Sequence, residues 1–185
     1  DPRPDTETLV EWALEVLPHE TSARVIDLGT GSGAIALALK AARPHLTVIA
    51  LDYSTDALAV AQANAQRLQL DVQCIQGSWL DSVEGRFAAI VSNPPYIRAD
   101  DRHLEALTHE PRQALASGHD GLDDIRHIIA QATEHLEPGG WLLLEHGYDQ
   151  APAVRALLSA AGFAHVQSRQ DLAGIARCSG GRWPA

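Results

Sequence analysis

The sequence predicts an α/β fold, a mostly parallel seven-stranded sheet with helices on both faces. Strand-length apolar runs alternate with segments of helical period from residue 24 to residue 161, which places successive strands in parallel with helices packed over them. The run 87–91 is apolar throughout, as a buried strand requires. Chemistry-bearing residues collect at the carboxyl ends of four predicted strands, at Asp27, Asp52, 76–79 and Asn93. In an open parallel sheet those ends form the rim where ligands bind.

The elements follow in order. Residues 4–17 form an amphipathic helix, with Leu9, Trp12, Ala13, Val16 and Leu17 at helical spacing, Asp5 and Thr6 as caps and Pro18 as the stop. A short strand spans 24–28. Gly29, Gly31 and Gly33 then turn the chain into a helix over 34–42, which Pro44 ends. The second strand, 47–51, closes on Asp52, and an alanine-rich helix covers 55–68. Strands follow at 72–76 and 87–92, then a helix at 120–136, a strand at 141–145 and a helix at 152–161. Residues 165–169 and 175–178 read as closing strands. The polar stretch 97–119, interrupted by Pro111, is long for a loop in a compact domain and reads as a substrate-facing lid or a surface insertion.

With 185 residues and 45% hydrophobic content, one domain with a sizeable core is expected. No apolar run is long enough to span a membrane and no signal-peptide pattern opens the chain. Cys74 and Cys178 lack metal-ligand spacing and read as buried or inert, and the nine histidines form no zinc pattern. A net charge of −10 argues against a broad nucleic-acid-binding face and is compatible with a basic protein partner. The chain begins at Asp1 and holds no Met, so further sequence upstream is expected.

Asn93, Pro94, Pro95 and Tyr96 follow the buried strand directly. The prolines fix their own φ angles and donate no N–H, and they hold Asn93 and Pro94 extended. The outcome is a stiff loop with an amide side chain, free carbonyls and an aromatic ring, a set that grips a planar –NH2 group. A rigid strand-ending turn with a half-buried Tyr is the plainer reading of these residues alone.

The second constellation is Asp27-Leu28-Gly29-Thr30-Gly31-Ser32-Gly33. Its glycine spacing differs from the G-x-G-x-x-G of dinucleotide sites. A carboxylate just before the loop repels pyrophosphate and attracts an ammonium group. The loop therefore suits the amino-acid tail of S-adenosylmethionine, which carries both an ammonium and a sulfonium. Asp52 stands where an acid takes ribose hydroxyls, although Asp also starts turns. Trp79, after Gly77 and Ser78, lines an adenine pocket or packs in the core.

Together these residues resemble a known family. Residues 27–33 are similar to the cofactor loop of class I methyltransferases, and 93–96 to the catalytic motif of enzymes that methylate planar amide or exocyclic amino nitrogens. Residues 2–7, 110–115 with 120–122, 142–147 and 171–174 resemble the peptide chain release factor glutamine N5-methyltransferases, over nearly the whole chain. The resemblance implies a Rossmann-like class I methyltransferase fold, with S-adenosylmethionine as cofactor and S-adenosylhomocysteine as product. It implies methylation of the glutamine in the Gly-Gly-Gln motif of class 1 release factors, by a cytoplasmic monomer with no metal, membrane or nucleic-acid partner. Asp27, Leu28, Gly29, Thr30, Gly31, Asp52, Trp79 and Asn93 are then cofactor contacts. Asn93, Pro94, Pro95 and Tyr96 bind the glutamine, with Asn93, Pro94 and Tyr96 carrying catalysis. Residues 1–185 form one catalytic domain, and the family's small helical N-terminal domain is absent. Ser78 stands where the family often has Asp, and Ser117 where it favours glycine. Other acceptors share the motif: a ribosomal-protein glutamine, or adenine N6 in DNA on a flipped base. A non-catalytic cofactor-binding domain is the reading from another class.

Overall fold

The computed structural model describes residues 4–19, 22–94 and 121–185. Among them, seven strands form one sheet in the order β3-β2-β1-β4-β5-β7-β6. The strands are β1 Arg24–Leu28, β2 Thr47–Asp52, β3 Val72–Gln76, β4 Phe87–Ser92, β5 Leu136–Glu145, β6 Ala164–Gln170 and β7 Ala176–Arg182. The helices are α1 Pro4–Val16, α2 Ala34–Ala42, α3 Thr55–Leu68, α4 Asp123–Ala132 and α5 Ala151–Ala160. Strands β1 to β5 pair in parallel, and β7 runs antiparallel to both β5 and β6.

Alternate residues of each central strand serve two cores. Val25, Val48, Ala89, Val91 and Leu143 pack with Leu9, Trp12 and Ala13 of α1 and with Ile35 and Leu39 of α2. Ile26, Leu28, Ile90, Leu142 and Leu144 pack with Ile125 and Ile128 of α4 and Val154 and Leu158 of α5. Strands covered on both faces read as near-continuous apolar runs. Each such side chain contributes about 1.5–3 kcal/mol on burial. A polar residue in these rows therefore needs its own reason, and Asp27, two residues after Val25 on the same sheet face, is one.

From β1 the chain runs outward through β2 to β3, then returns to β4 on the other flank of β1. The carboxyl ends of β1 and β4 thus border the switch point of the sheet, where connections leave in opposite directions and open a crevice.

Four expectations change. The strand–helix alternation lapses over 77–86, which carry turns. Trp79 there takes a left-handed φ of 48°, which no helix accommodates. The helix expected over 120–136 spans Asp123–Ala132. Leu136 instead opens β5 and pairs with Phe87, so sheet pairing overrides helical period. The last strand runs beyond Cys178 to Arg182 through two glycines. At Gly180 a Cβ would lie 2.6 Å from the Leu142 carbonyl, so close backbone approach outweighs glycine's poor strand preference. Cys178 is buried, but Cys74 is only half-buried. The stretch 97–119 lies outside the described residues.

Candidate active site

The first flank of the crevice is built on β1 and β2. Asp27 is 1% exposed and accepts a hydrogen bond from Thr30 Oγ1 through Oδ2 at 2.8 Å. Its other oxygen, Oδ1, is buried with no hydrogen-bond partner among the described residues. Burial pushes the Asp27 carboxyl up to about 7. The Thr30 hydroxyl and the Ala36 N–H oppose that rise, and the charge of Asp52 adds to it. A buried carboxylate with one oxygen unmatched calls for a cation, since an unpaired buried charge is costly.

Asp52 is held at both oxygens. Oδ2 accepts from the Gly31 N–H at 2.8 Å and Oδ1 from the Ser54 N–H at 2.9 Å. Ser54 caps α3 by accepting from the Ala57 N–H. The glycine loop is stitched to β2, with the Gly29 and Thr30 N–H groups both donating to the Leu51 carbonyl at 2.8 and 2.9 Å. Gly29 has a φ of +71°, and a Cβ there would lie 3.4 Å from the Trp79 ring. The ring of Trp79 therefore stands beside the loop and also packs against the α4–α5 core. The side chain of Leu28 lies in the α4–α5 core, leaving its backbone as the part that reaches the rim.

The second flank starts where β4 ends. Asn93 Oδ1 is buried with no hydrogen-bond partner among the described residues, and Pro94 is buried. Pro95 and Tyr96 lie outside the described residues. Ser92, 0% exposed, donates from Oγ to the Leu28 carbonyl at 2.7 Å. Sequence reading passed over Ser92. Its signal was a hydroxyl ending an apolar strand immediately before Asn93.

The β5 end of the rim is braced by a buried relay that sequence reading also missed. His146 Nδ1 lies 2.9 Å from the Gly147 carbonyl, which can only accept, so Nδ1 carries the proton. Nε2 therefore accepts from Ser179 Oγ at 2.7 Å. Ser168 Oγ lies 2.6 Å from Ser179 Oγ and accepts from Arg155. Burial first, then the charges of Arg155 and Arg177, hold the His146 pKa below its usual value against the opposing Gly147 carbonyl and Asp149. Burial thus favours the neutral form of this histidine, and its bond to the Gly147 carbonyl holds the turn into α5.

No group of three His, Cys, Asp or Glu residues among those described could hold a metal ion. No described helix is long and apolar enough to cross a membrane. What converges on the switch point is a pair of acids on one flank and, on the other, an amide oxygen with no partner among the described residues.

Residues 6–120 match the family described as Methyltransferase small domain. A release factor glutamine methyltransferase of Pseudomonas aeruginosa is 55% identical over 186 residues, covering 98% of this chain and 67% of that protein. One of Bordetella pertussis is 52% identical over 184 residues, covering 97% and 68%. One of Coxiella burnetii is 50% identical, covering 95% and 64%. The chain thus spans about two thirds of the length of these curated relatives. Among solved structures, the release factor-specific protein-(glutamine-N5) methyltransferase of Alicyclobacillus acidocaldarius matches at 32% identity with a TM-score of 0.63, covering 100% of this chain and 94% of that one. A methyltransferase of Pyrococcus furiosus shares the fold at 18% identity and a TM-score of 0.74, covering 100% and 84%.

Proposed function

The chain belongs to the release factor glutamine methyltransferases, and from that premise we propose how its residues divide the work of moving a methyl group from S-adenosylmethionine to a glutamine side-chain nitrogen in a class 1 release factor. The observation that carries the reading is a pair of buried oxygens, Asp27 Oδ1 and Asn93 Oδ1, that have no hydrogen-bond partner among the described residues, at the ends of neighbouring strands bordering the switch point.

The cofactor flank fits S-adenosylmethionine by the chemistry of its donors. Asp27 Oδ1 takes the ammonium, and Thr30 holds the carboxyl group in orientation through Oδ2. Asp52, fixed by Gly31 and Ser54, keeps lone pairs for ribose hydroxyls. Trp79, against Gly29, gives adenine an apolar wall. Two neighbouring acids favour a cationic ligand and disfavour pyrophosphate. Once bound, S-adenosylmethionine supplies an electrophilic methyl group on a sulfonium.

The acceptor flank has the harder task, because an amide nitrogen delocalises its lone pair into the carbonyl. Asn93 Oδ1 and the Pro94 carbonyl accept the two N–H groups of the glutamine amide. That pairing turns the nitrogen lone pair toward the donor side of the crevice and stabilises the positive charge that develops on nitrogen. The aromatic ring of Tyr96 is of the type that suits a planar amide. Alignment of this kind can supply roughly 7–11 kcal/mol of the barrier. The methylated amide nitrogen is acidic and loses its proton late, so no strong base is needed.

Methyl-labelled S-adenosylmethionine incubated with the protein and a purified release factor tests the reading. The label is expected on the glutamine of the Gly-Gly-Gln motif by peptide mapping, and replacement of that glutamine should abolish it. Label on a ribosomal protein, on DNA adenine, or on nothing would overturn the assignment.

A further inference from the structure

We propose that Ser92 is a positioning residue for methyl transfer, its hydroxyl setting the separation between the acceptor flank and the cofactor flank. The inference rests on the reading above and adds a residue that reading does not use. Ser92 is 0% exposed, and its Oγ–H donates to the Leu28 carbonyl at 2.7 Å, between residues 64 apart in sequence. Leu28 and Ser92 form the last registered pair of β1 and β4. The next residues, Gly29 and Asn93, begin the cofactor loop and the acceptor motif. The bond therefore ties the two strands at the point where both functional segments leave the sheet.

The other registered pairs of β1 and β4 are Val25 with Ala89, Ile26 with Ile90 and Asp27 with Val91. On β4 all of these are apolar, and Ala or Val in place of Ser92 would continue the strand without a polar group to satisfy. A buried hydroxyl is costly unless it is hydrogen-bonded, so its presence matters for the bond it makes. Strand ends fray because they lack the next rung of the ladder, and a side-chain tether across the pair removes that freedom. It fixes Asn93 relative to Gly29, and through them the target nitrogen relative to the methyl group. Reactions of this kind lose on the order of 100-fold in rate for a misplacement of about 1 Å. In the reading above, the cofactor's affinity comes chiefly from the side chains of Asp27, Asp52 and Trp79, which the tether does not touch.

The experiment compares the intact wild-type protein with Ser92→Ala and Ser92→Thr. It reads kcat and KM for release factor, affinity for S-adenosylhomocysteine by calorimetry, and Tm. Ser92→Ala is expected to lower kcat about 10- to 100-fold while both KM and S-adenosylhomocysteine affinity stay within about threefold, the signature of an interaction that matters only in the transition state. Ser92→Thr, which keeps the hydroxyl, is expected to recover most of kcat. A wild-type kcat in Ser92→Ala overturns the inference. So does a parallel loss of cofactor-product affinity, or a folded Ser92→Thr as slow as Ser92→Ala. If Ser92→Ala does not fold, Ser92→Cys, with its weaker donor, must show the same split, and a wild-type kcat there is equally fatal. An inactive wild type would instead refute the glutamine reading itself, which keeps the two failures apart.

Discussion

The two flanks of the switch point are organised in opposite ways. On the cofactor flank the bonds are local and mostly closed. Asp27 and Thr30 are three residues apart, Asp52 and Ser54 two, and Gly31 and Asp52 twenty-one, leaving one oxygen of Asp27 without a partner among the described residues. On the acceptor flank the hydrogen bond next to Asn93 joins residues 64 apart, and the Asn93 oxygen has no partner among the described residues. The difference suits the roles proposed for the two flanks. A small cofactor can be enclosed by one loop and its strand. A glutamine arriving on another protein needs an open acceptor whose position is set by the sheet.

The sharpest way to break this comparison is Asn93→Ala. Methyl transfer is expected to fall about 10²–10³-fold or more, by analogy with loss of one preorganised hydrogen-bonding group, with S-adenosylhomocysteine affinity unchanged. Labelled transfer and calorimetry on the same sample check both halves. Activity close to wild type would remove Asn93 from the mechanism.

Asp27 tests the other flank. Asp27→Ala should weaken S-adenosylhomocysteine binding about 10- to 100-fold, the scale of a hydrogen bond to a charged group, and an unchanged affinity would refute the ammonium contact. In the wild type the same contact predicts a pH dependence. The free protein holds a proton on Asp27 below about 7, and the ammonium binds the ionised form. Affinity should therefore fall about tenfold per pH unit below that value, and Asp27→Asn should lack the slope.

The smallest effect is on stability. Folding raises the Asp27 pKa from 3.8 to about 7, chiefly by burial. The folded state therefore binds the proton more tightly than the unfolded chain. This favourable contribution is complete below pH 3.8 and is lost as pH rises through about 7. At pH 8 without ligand, Asp27→Asn should raise Tm by about 10 °C, and at pH 3 it should change little. A lower Tm at pH 8 would mean that the ionised carboxylate is already matched within the protein.

The sheet was legible in the sequence wherever local pattern and burial agree. Strands β1, β3 and β4 and helices α2 and α3 stand where their apolar runs and glycine or proline boundaries place them. The misreadings fall where a long-range contact outweighs local preference. Leu136 continues a helical period but pairs with Phe87. The last strand, expected to end at Cys178, runs on through Gly180 and Gly181, because only glycine at 180 lets β7 approach Leu142. The same division applies to the site. Asp27, Asp52 and Asn93 were marked by residue type at strand ends. Ser92 and the relay through His146 were not, because their meaning lies in partners distant in sequence.

The sequence by itself determined which residues end the strands, and therefore which chemistry can appear on the rim. A period of two residues, a covered sheet and parallel crossovers leave little else for those positions to do. The tertiary structure decided how that chemistry is set. Burial raises Asp27, the Leu28 carbonyl receives Ser92, and the sheet order brings β4 against β1 rather than β3. Those are properties of dielectric and of distance, which depend on packing between segments far apart in the chain and are not written in any local stretch of it.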